Sequence, residues 1–215
     1  MHALVIGATG ATGQDLLDLL LKDDSVQQIT VFVRRPLALQ HEKLRVHVID
    51  FDHPIQWQHL VKGDVLFSCL GTTLQAAGSK EAQWKIDYDY QYQFARAARE
   101  NDVPSLVLVS SGFASSTSLF FYTKMKGQLE EDIQALGFPH LHIFRPPALI
   151  RKNSNRKGEL FGIRFMRFLN TLGLLRAQRP LPTEVLAQAL IQVAKTPSKQ
   201  VATYAGEAIW KAAAS

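Results

Sequence analysis

A short stretch of this sequence holds four side chains that could together move a proton. Ser110 and Ser111 end an apolar run, and Tyr122 and Lys126 follow with a spacing of four residues. On a helix, residues four apart lie on one face, a single turn from each other. A lysine ammonium beside a tyrosine lowers the tyrosine pKa from about 10, which lets the phenol act as a general acid or base near neutrality. The spacing predicts a site in which a serine hydroxyl polarises a carbonyl and Tyr122 supplies the proton.

Short apolar runs alternate with helical patterns through most of the chain. The apolar runs cover residues 2–6, 29–33, 44–49, 64–69, 105–110 and 141–144, and the helical patterns cover 11–21, 80–100 and 119–136. Strands that are apolar throughout are typical of a parallel sheet buried on both faces. We therefore predict an α/β fold of the Rossmann type, a doubly wound parallel sheet with helices on both faces.

The strand-and-helix rhythm weakens in the last third of the chain. We expect one domain over residues 1–215, with residues from about 146 to 215 forming a small cap that carries substrate specificity. Residues 152–158 read as a loop, and 160–172 and 182–195 read as helices. Residues 145–179 contain nine Lys or Arg and one acid. This basic segment could pack over the substrate cleft and draw in an anionic substrate, or it could lie on an anionic membrane surface or bind a partner.

The first apolar run ends in a turn rich in glycine. The turn comprises Gly7, Ala8, Thr9, Gly10, Ala11, Thr12 and Gly13. A glycine turn between a strand and a helix exposes the amides at the helix N-terminus and lets a pyrophosphate come close to the backbone. The pattern predicts that these residues bind the pyrophosphate of a dinucleotide.

The second apolar run ends in Arg34 and Arg35, with no acid beside them. An acid at this place binds the free ribose 2′-hydroxyl of NAD, whereas an arginine can bind the 2′-phosphate of NADP. We therefore predict NADP(H) rather than NAD, with a solvated surface pair as the alternative.

Two further turns follow strands at the same predicted edge. Asp50 and Phe51 follow the third run, where a carboxylate and a ring could contact adenine. Leu70, Gly71, Thr72 and Thr73 follow the fourth run and are small enough to let the cofactor pass. Ligands of such sheets bind beyond the carboxyl ends of the strands. Both turns are predicted cofactor contacts, and ordinary structural turns are the alternative.

The composition excludes several other classes of protein. Net charge of +5, 47% hydrophobic residues and 20% charged residues are typical of a globular protein. No secretion signal or run of about 20 apolar residues is present, so we expect a cytoplasmic location. The single cysteine, Cys69, reads as a small buried hydrophobe, and the histidines suggest no metal site. No motif for nucleic-acid binding accompanies the positive charge, and no GxSxG elbow indicates a hydrolase.

Taken together, several motifs resemble the short-chain dehydrogenase/reductase superfamily. They are GATGATG at residues 7–13, SS at 110–111, YTKMK at 122–126 and FRPPAL at 144–149. CLGTT at 69–73 and WKIDYDY at 84–90 are similar to the atypical branch that contains the Tat-interacting-protein-like NADPH-binding oxidoreductases. The resemblance spans nearly the whole chain.

The resemblance implies roles for particular residues. Ser111 or Ser110, Tyr122 and Lys126 would form the catalytic triad, and Lys126 would also bind the nicotinamide ribose. The backbone from Pro147 to Leu149 would lie beside the nicotinamide. Pro147 stands where near relatives often have glycine, and this removes a backbone donor.

The function implied is NADPH-dependent reduction of a small carbonyl-like substrate. The alternative is a regulatory or interaction protein that binds NADPH with little turnover and uses its basic segment to bind a partner.

Overall fold

Seven parallel strands form the central sheet of the protein. The computed structural model describes residues 1–150, 179–196 and 201–215. The strands are β1 His2–Ile6, β2 Gln28–Val33, β3 Leu44–Val48, β4 Val65–Ser68, β5 Ser105–Val109, β6 His140–Arg145 and β9 Val201–Ala205, with a separate pair β7 Leu149–Ile150 and β8 Leu181–Pro182. The sheet order is β3–β2–β1–β4–β5–β6–β9, and every neighbouring pair in it is parallel. The order of the first six strands is that of the doubly wound dinucleotide-binding fold, which confirms the predicted class.

Helices cover both faces of this sheet. They are α1 Ala11–Lys22, α2 Pro54–Trp57, α3 Leu74–Ala77, α4 Lys80–Trp84, α5 Tyr90–Glu100, α6 Phe121–Ala135, α7 Thr183–Lys195 and α8 Glu207–Ala213. A 3₁₀ turn, Gln58–Leu60, follows α2, and one turn of π-helix, Lys85–Asp89, joins α4 to α5. None of the helices in the described ranges is long and apolar enough to span a bilayer.

The strands are apolar throughout because each of their faces supports a core. Along β1, Ala3 and Val5 pack in the layer that contains α1, α7 and α8. Leu4 and Ile6 point the other way, into the layer that contains α5 and α6. The two-residue alternation of a strand sends neighbouring side chains to opposite faces, so both sets are buried.

The register brings the carboxyl ends of the strands to a common level. Ile6 at the end of β1 is opposite Phe32 of β2 and Ser68 of β4, and Ser68 is opposite Leu108 of β5. The turns that follow β1, β4 and β5 therefore meet at one edge of the sheet. This is the edge at which the sequence places its candidate residues.

The described part of the C-terminal third completes this domain. Strand β9, which the sequence pattern did not predict, pairs with β6 as the seventh strand, and α7 and α8 pack in the same apolar layer as α1. The alternating burial of β9 gives it a weaker apolar signal than the central strands have. The loop predicted over 152–158 and the helix predicted over 160–172 lie outside the described residues, as does most of the basic segment.

Candidate functional site

The glycine turn packs too closely for side chains. Gly7 has φ of +82°, and a Cβ there would lie 2.5 Å from the backbone carbon of Cys69. A Cβ on Gly13 would lie 2.0 Å from the carbonyl oxygen of Gly7. Helix α1 begins after Gly10, and no side chain in the described structure caps it. The first amides of the helix are thus available to an anion, as a pyrophosphate requires.

A cavity of about 690 Å³ opens at the carboxyl edge of the sheet. Of the predicted residues, its walls contain Gly10, Ala11, Thr12, Leu70, Gly71, Thr72, Thr73, Ser110, Tyr122, Lys126 and Leu149. Gly7, Ala8, Thr9, Gly13, Arg34, Arg35, Asp50, Phe51, Ser111 and Pro147 are outside its walls. Ala8 and Thr9 instead line a separate, smaller pocket of about 190 Å³. The C-terminal part of the glycine turn and the Tyr122–Lys126 pair therefore share one cavity.

Lys126 is buried in an ion pair that the sequence analysis missed. Its Nζ lies 3.1 Å from Oδ1 of Asp87, and the two side chains are 2% and 0% exposed. The other carboxylate oxygen of Asp87 accepts a hydrogen bond from the backbone N–H of Thr72, at 2.9 Å. Asp87 thus joins the lysine to the turn after β4.

The π-helical turn explains why the sequence pattern did not identify Asp87 as a site residue. As predicted, residues 80–100 form one continuous helical segment. Within it, Lys85–Asp89 forms a wider, π-helical turn with an extra residue. That residue changes which side chains face the sheet, so a 3.6-residue period cannot identify Asp87 as an inward-facing acid. The acid within WKIDYDY was the only signal available in the sequence.

Tyr122 lies one turn before Lys126 on α6, as the spacing predicts. Its pKa, however, is raised to about 12, first by burial and second by the charge of Asp87. The predicted lowering of this pKa is therefore wrong for this arrangement of charges. The larger cause is burial of the phenol, which disfavours the charged phenolate even though 36% of Tyr122 is exposed, and the smaller cause is the Asp87 carboxylate, which the prediction did not include.

The two candidate serines have different surroundings. Ser110 is buried, and its hydroxyl donates to the carboxylate of Glu130, which also accepts from Nε of Arg145 at 3.1 Å. Ser111 is partly exposed, and its carbonyl accepts from the N–H of Ala114 at 3.0 Å. Glu130 was also missed, although it falls four residues after Lys126 and so belongs to the same helix face. Only Ser110 of the two reaches the cavity wall.

Asp50 and Phe51, the predicted adenine contacts, interact with other residues of the protein. The Asp50 carboxylate accepts from the N–H of Asp52 at 2.9 Å and contacts the His53 ring at 2.8 Å, which lowers the pKa of Asp50. The Phe51 ring is buried against Trp57, Tyr90 and Phe94. Their adenine contacts stay a prediction.

Arg34 and Arg35 are exposed immediately after β2. Burial and Asp52 raise the pKa of nearby Tyr90 to about 12, and the charge of Arg34 works against this rise. The contact of Arg34 and Arg35 with a 2′-phosphate stays a prediction.

Cys69 was predicted to be a small buried hydrophobe, but it is only partly buried and lines the cavity. Burial raises the pKa of its thiol to about 12. Among residues 1–150, 179–196 and 201–215, no three His, Cys, Asp or Glu side chains come together as a metal site.

Sequence comparison identifies relatives over most of the chain. The family described as NAD(P)H-binding matches residues 7–163. The mitochondrial protein FMP52 of Saccharomyces cerevisiae is 37% identical over 166 residues, covering 75% of this chain and 71% of that protein. FMP52-1 of Scheffersomyces stipitis, also named mitochondrial, is 32% identical over 202 residues, covering 91% and 88%.

Solved structures share the fold at much lower identity. MoeE5 in complex with UDP-glucose and NAD has a TM-score of 0.71 at 14% identity, covering all of this chain and 81% of that one. Bordetella bronchiseptica WbmH in complex with NAD⁺ has a TM-score of 0.69 at 10% identity, covering 95% and 75%. At such identities the likeness concerns the fold alone.

The relatives overturn one prediction. A cytoplasmic location was expected, yet the FMP52 relatives are named as mitochondrial proteins. Composition and hydropathy describe how a chain folds in water. They do not specify the organelle to which a protein is directed, so the prediction of a cytoplasmic location was wrong.

The match of the family over residues 7–163, the FMP52 relatives above 30% identity and the strand order agree with the motif resemblance. The chain belongs to the NAD(P)H-binding family and is related to the FMP52 proteins.

Proposed function

We propose that this protein is an NADPH-dependent reductase of small carbonyl compounds, with Tyr122 as the proton donor. The observation that carries the proposal is the shared cavity of about 690 Å³, whose walls include both the glycine turn and the Tyr122–Lys126 pair. A dinucleotide bound along these walls would supply the hydride. The side chains around it would bind the dinucleotide, orient the substrate and protonate its carbonyl oxygen.

Each part of the cavity has a proposed task. The amides at the start of α1 bind the pyrophosphate, and Lys126, held beside Thr72, binds the nicotinamide ribose. The Tyr122 hydroxyl donates its proton to the carbonyl oxygen of the substrate. A phenol whose pKa is raised to about 12 holds its proton at neutral pH and can donate it to the more basic alkoxide oxygen that hydride transfer would form.

The polarising hydroxyl is assigned to Ser110, with Ser111 as the second candidate. Ser110 is in the cavity wall, but its proton points to Glu130 and would have to turn toward the substrate. Ser111 would need a rearrangement of the loop that follows β5, since it is outside the wall.

The walls favour a small, largely apolar substrate. Val109, Phe121 and Leu149 form the apolar side of the cavity. Lys80, whose Nζ lies 5.6 Å from the centroid of the Phe121 ring, adds an exposed cation at the same wall. A carbonyl compound with an anionic group would satisfy both features.

A second candidate is an NADPH-binding protein with regulatory function and little turnover. Two observations favour it. Asp87 neutralises Lys126, and the Tyr122 phenolate is disfavoured by the same carboxylate, so proton transfer through Tyr122 has less electrostatic support than an isolated Tyr–Lys pair provides.

The deciding experiment measures NADPH oxidation across a panel of aldehydes and ketones. We expect Tyr122→Phe to lower kcat by about 100-fold or more, because the general acid is lost while the ring remains. Tyr92→Phe on α5, outside the cavity walls, serves as the matched control and should retain activity. Inactivity of both the wild type and Tyr122→Phe, with NADPH still protecting against heat, would favour the regulatory candidate.

A further inference from the structure

Glu130 is a buried carboxylate that α6 brings to the end of β6. Its side chain is 6% exposed, and both of its oxygens accept from Nε of Arg145 at 3.1 Å. Nη2 of Arg145 donates to Oε2 as well. A guanidinium stays charged at neutral pH, and contact with both oxygens stabilises the charged form of a carboxylate. Glu130 is therefore ionised.

The ionised Glu130 sets the direction of its hydrogen bond with Ser110. A carboxylate without a proton can only accept, so the Ser110 hydroxyl donates to Oε1. A serine hydroxyl has a single proton, and its oxygen can also accept through its lone pairs. Because the proton is on the Glu130 side, Ser110 offers a ligand an acceptor and no donor.

Ser110 is held in this arrangement within the cavity wall. It is 6% exposed, and its backbone N–H donates to the carbonyl oxygen of Phe144 at 2.7 Å. Turning the hydroxyl toward the cavity would take a hydrogen bond from Glu130 in a buried place. A buried acceptor that loses its donor is destabilised, so the arrangement with the proton on Glu130 is the stable one.

The other groups around the cavity are mostly suited to ligand atoms that accept. The ammonium of Lys80, the hydroxyl of Tyr122 and the amides at the start of α1 can all donate. Among the described residues, no Asp or Glu side chain lines this cavity. A ligand group that donates therefore finds its strongest partner in Ser110, since the charge of Glu130 polarises the hydroxyl and makes its oxygen a better acceptor.

We propose that Ser110 accepts a hydrogen bond from the substrate, so that the protein reduces carbonyl compounds that carry a hydroxyl group close to the carbonyl. This inference rests on the proposed function, in which NADPH supplies the hydride and Tyr122 the proton. The substrate hydroxyl takes part in binding alone and is unchanged by the reaction. The task of polarising the carbonyl then passes from Ser110 to Ser111, the second candidate.

The test compares ketones that differ in one group. α-Hydroxyacetophenone carries a hydroxyl where propiophenone carries a methyl group, and β-hydroxypropiophenone and butyrophenone make the same pair one carbon further out. In the wild type we expect kcat/KM to favour the hydroxylated ketone of at least one pair by about tenfold or more. The hydroxyl also changes the reactivity of the carbonyl, so the same ratios are measured in Ser110→Ala. There the favoured ratio should be about tenfold lower, with reduction of the plain ketone within about threefold of the wild type.

Two further variants keep the test decisive. Ser68→Ala removes another buried hydroxyl, which donates to Gln91 at 2.8 Å outside the cavity walls, and should keep the wild-type ratios. Glu130→Gln offers Ser110 an amide that can donate as well as accept, so the favoured ratio should fall, and it answers the question if Ser110→Ala does not fold. Unchanged ratios for both pairs in Ser110→Ala overturn the proposal. If both ketones of a pair lose rate together, Ser110 polarises the carbonyl instead.

Binding separates this inference from the proposed function. Saturation-transfer NMR with NADP⁺ added measures the Kd of each ketone without its reduction. If no ketone is reduced but a hydroxylated one binds more tightly than its partner to the wild type and not to Ser110→Ala, the proposed function fails and the role of Ser110 stands. If ketones are reduced with equal ratios in the two proteins, the proposed function stands and the role of Ser110 fails. Neither reduction nor a difference in binding overturns both.

Discussion

At the scale of single residues, spacing placed side chains correctly but not the charges around them. Tyr122 and Lys126 lie on one helix and in the wall of one cavity, as their spacing predicts. The predicted direction of the Tyr122 pKa shift was nevertheless wrong, because burial disfavours the phenolate and because Asp87 adds a negative charge from a separate helix. Spacing along one helix says nothing about groups that another element brings to the same place.

Arg34 is the residue predicted to make the protein bind NADPH in preference to NADH. Arg34→Glu should weaken NADPH binding by about tenfold or more, since one charge-assisted contact to the 2′-phosphate is lost and a repulsion is added. NADH binding should change by less than about twofold, because NADH lacks that phosphate. Titration calorimetry with both nucleotides measures the difference.

Arg45→Glu provides the matched control for the change in net charge. Arg45 is an exposed residue of β3 whose guanidinium donates to backbone carbonyls nearby. An equal loss of NADPH and NADH affinity in Arg34→Glu would show that Arg34 does not discriminate between the nucleotides.

At the scale of elements, α6 and the loop after β5 pack closely against each other beside the candidate site. The loop crosses α6 at Gly127, where a Cβ would lie 2.1 Å from the backbone carbon of Ser115 and 2.2 Å from the nitrogen of Ser116. Gly127 directly follows Lys126, so the close crossing positions the lysine relative to Ser110. The glycine in KMKG looked unremarkable in sequence because its partner is a loop more than ten residues away.

Gly127→Ala should therefore destabilise the protein. The added methyl group meets backbone atoms that cannot rotate away, so we expect a loss of about 1–3 kcal/mol of unfolding free energy. Urea denaturation followed by circular dichroism measures it. Lys124→Ala, an exposed substitution on the same helix, should change stability by less than about 0.5 kcal/mol. A Gly127→Ala protein as stable as Lys124→Ala would mean that the loop moves freely.

At the scale of the whole molecule, the sheet joins residues from both ends of the chain. Strand β9 from the C-terminal region pairs with β6, and the Tyr204 ring stacks on Phe144 with centroids 4.6 Å apart. Beneath this contact lies His142, which is 1% exposed and contacts the Tyr204 hydroxyl at 3.2 Å. Burial, aided by His140, lowers the pKa of His142 to about 4.

This histidine should make the fold less stable in mild acid. Between about pH 6.5 and pH 4 the unfolded chain binds a proton at His142 that the folded protein excludes, so stability falls as the pH drops through this window. The loss attributable to His142 approaches about 3 kcal/mol at pH 4. Urea unfolding at a series of pH values should show this dependence.

Comparison with variants isolates the contribution of His142. His142→Gln should flatten the dependence in this window, whereas His59→Gln, at an exposed position, should keep it. Parallel pH dependences for the wild type and His142→Gln would contradict the assignment.

The sequence by itself determined the fold class, the glycine turn between the first strand and the first helix, and the helix that carries Tyr122 and Lys126. These follow from local patterns: apolar runs, glycine spacing and a four-residue period act within one element or between consecutive elements. Only the tertiary structure decided that Asp87 pairs with Lys126 and that Glu130 accepts a hydrogen bond from Ser110. The same holds for the close packing of the loop on Gly127 and for the pairing of β9 with the sheet. Each of these depends on contacts between distant parts of the chain, and the strength of each charge depends on how deeply those contacts bury it.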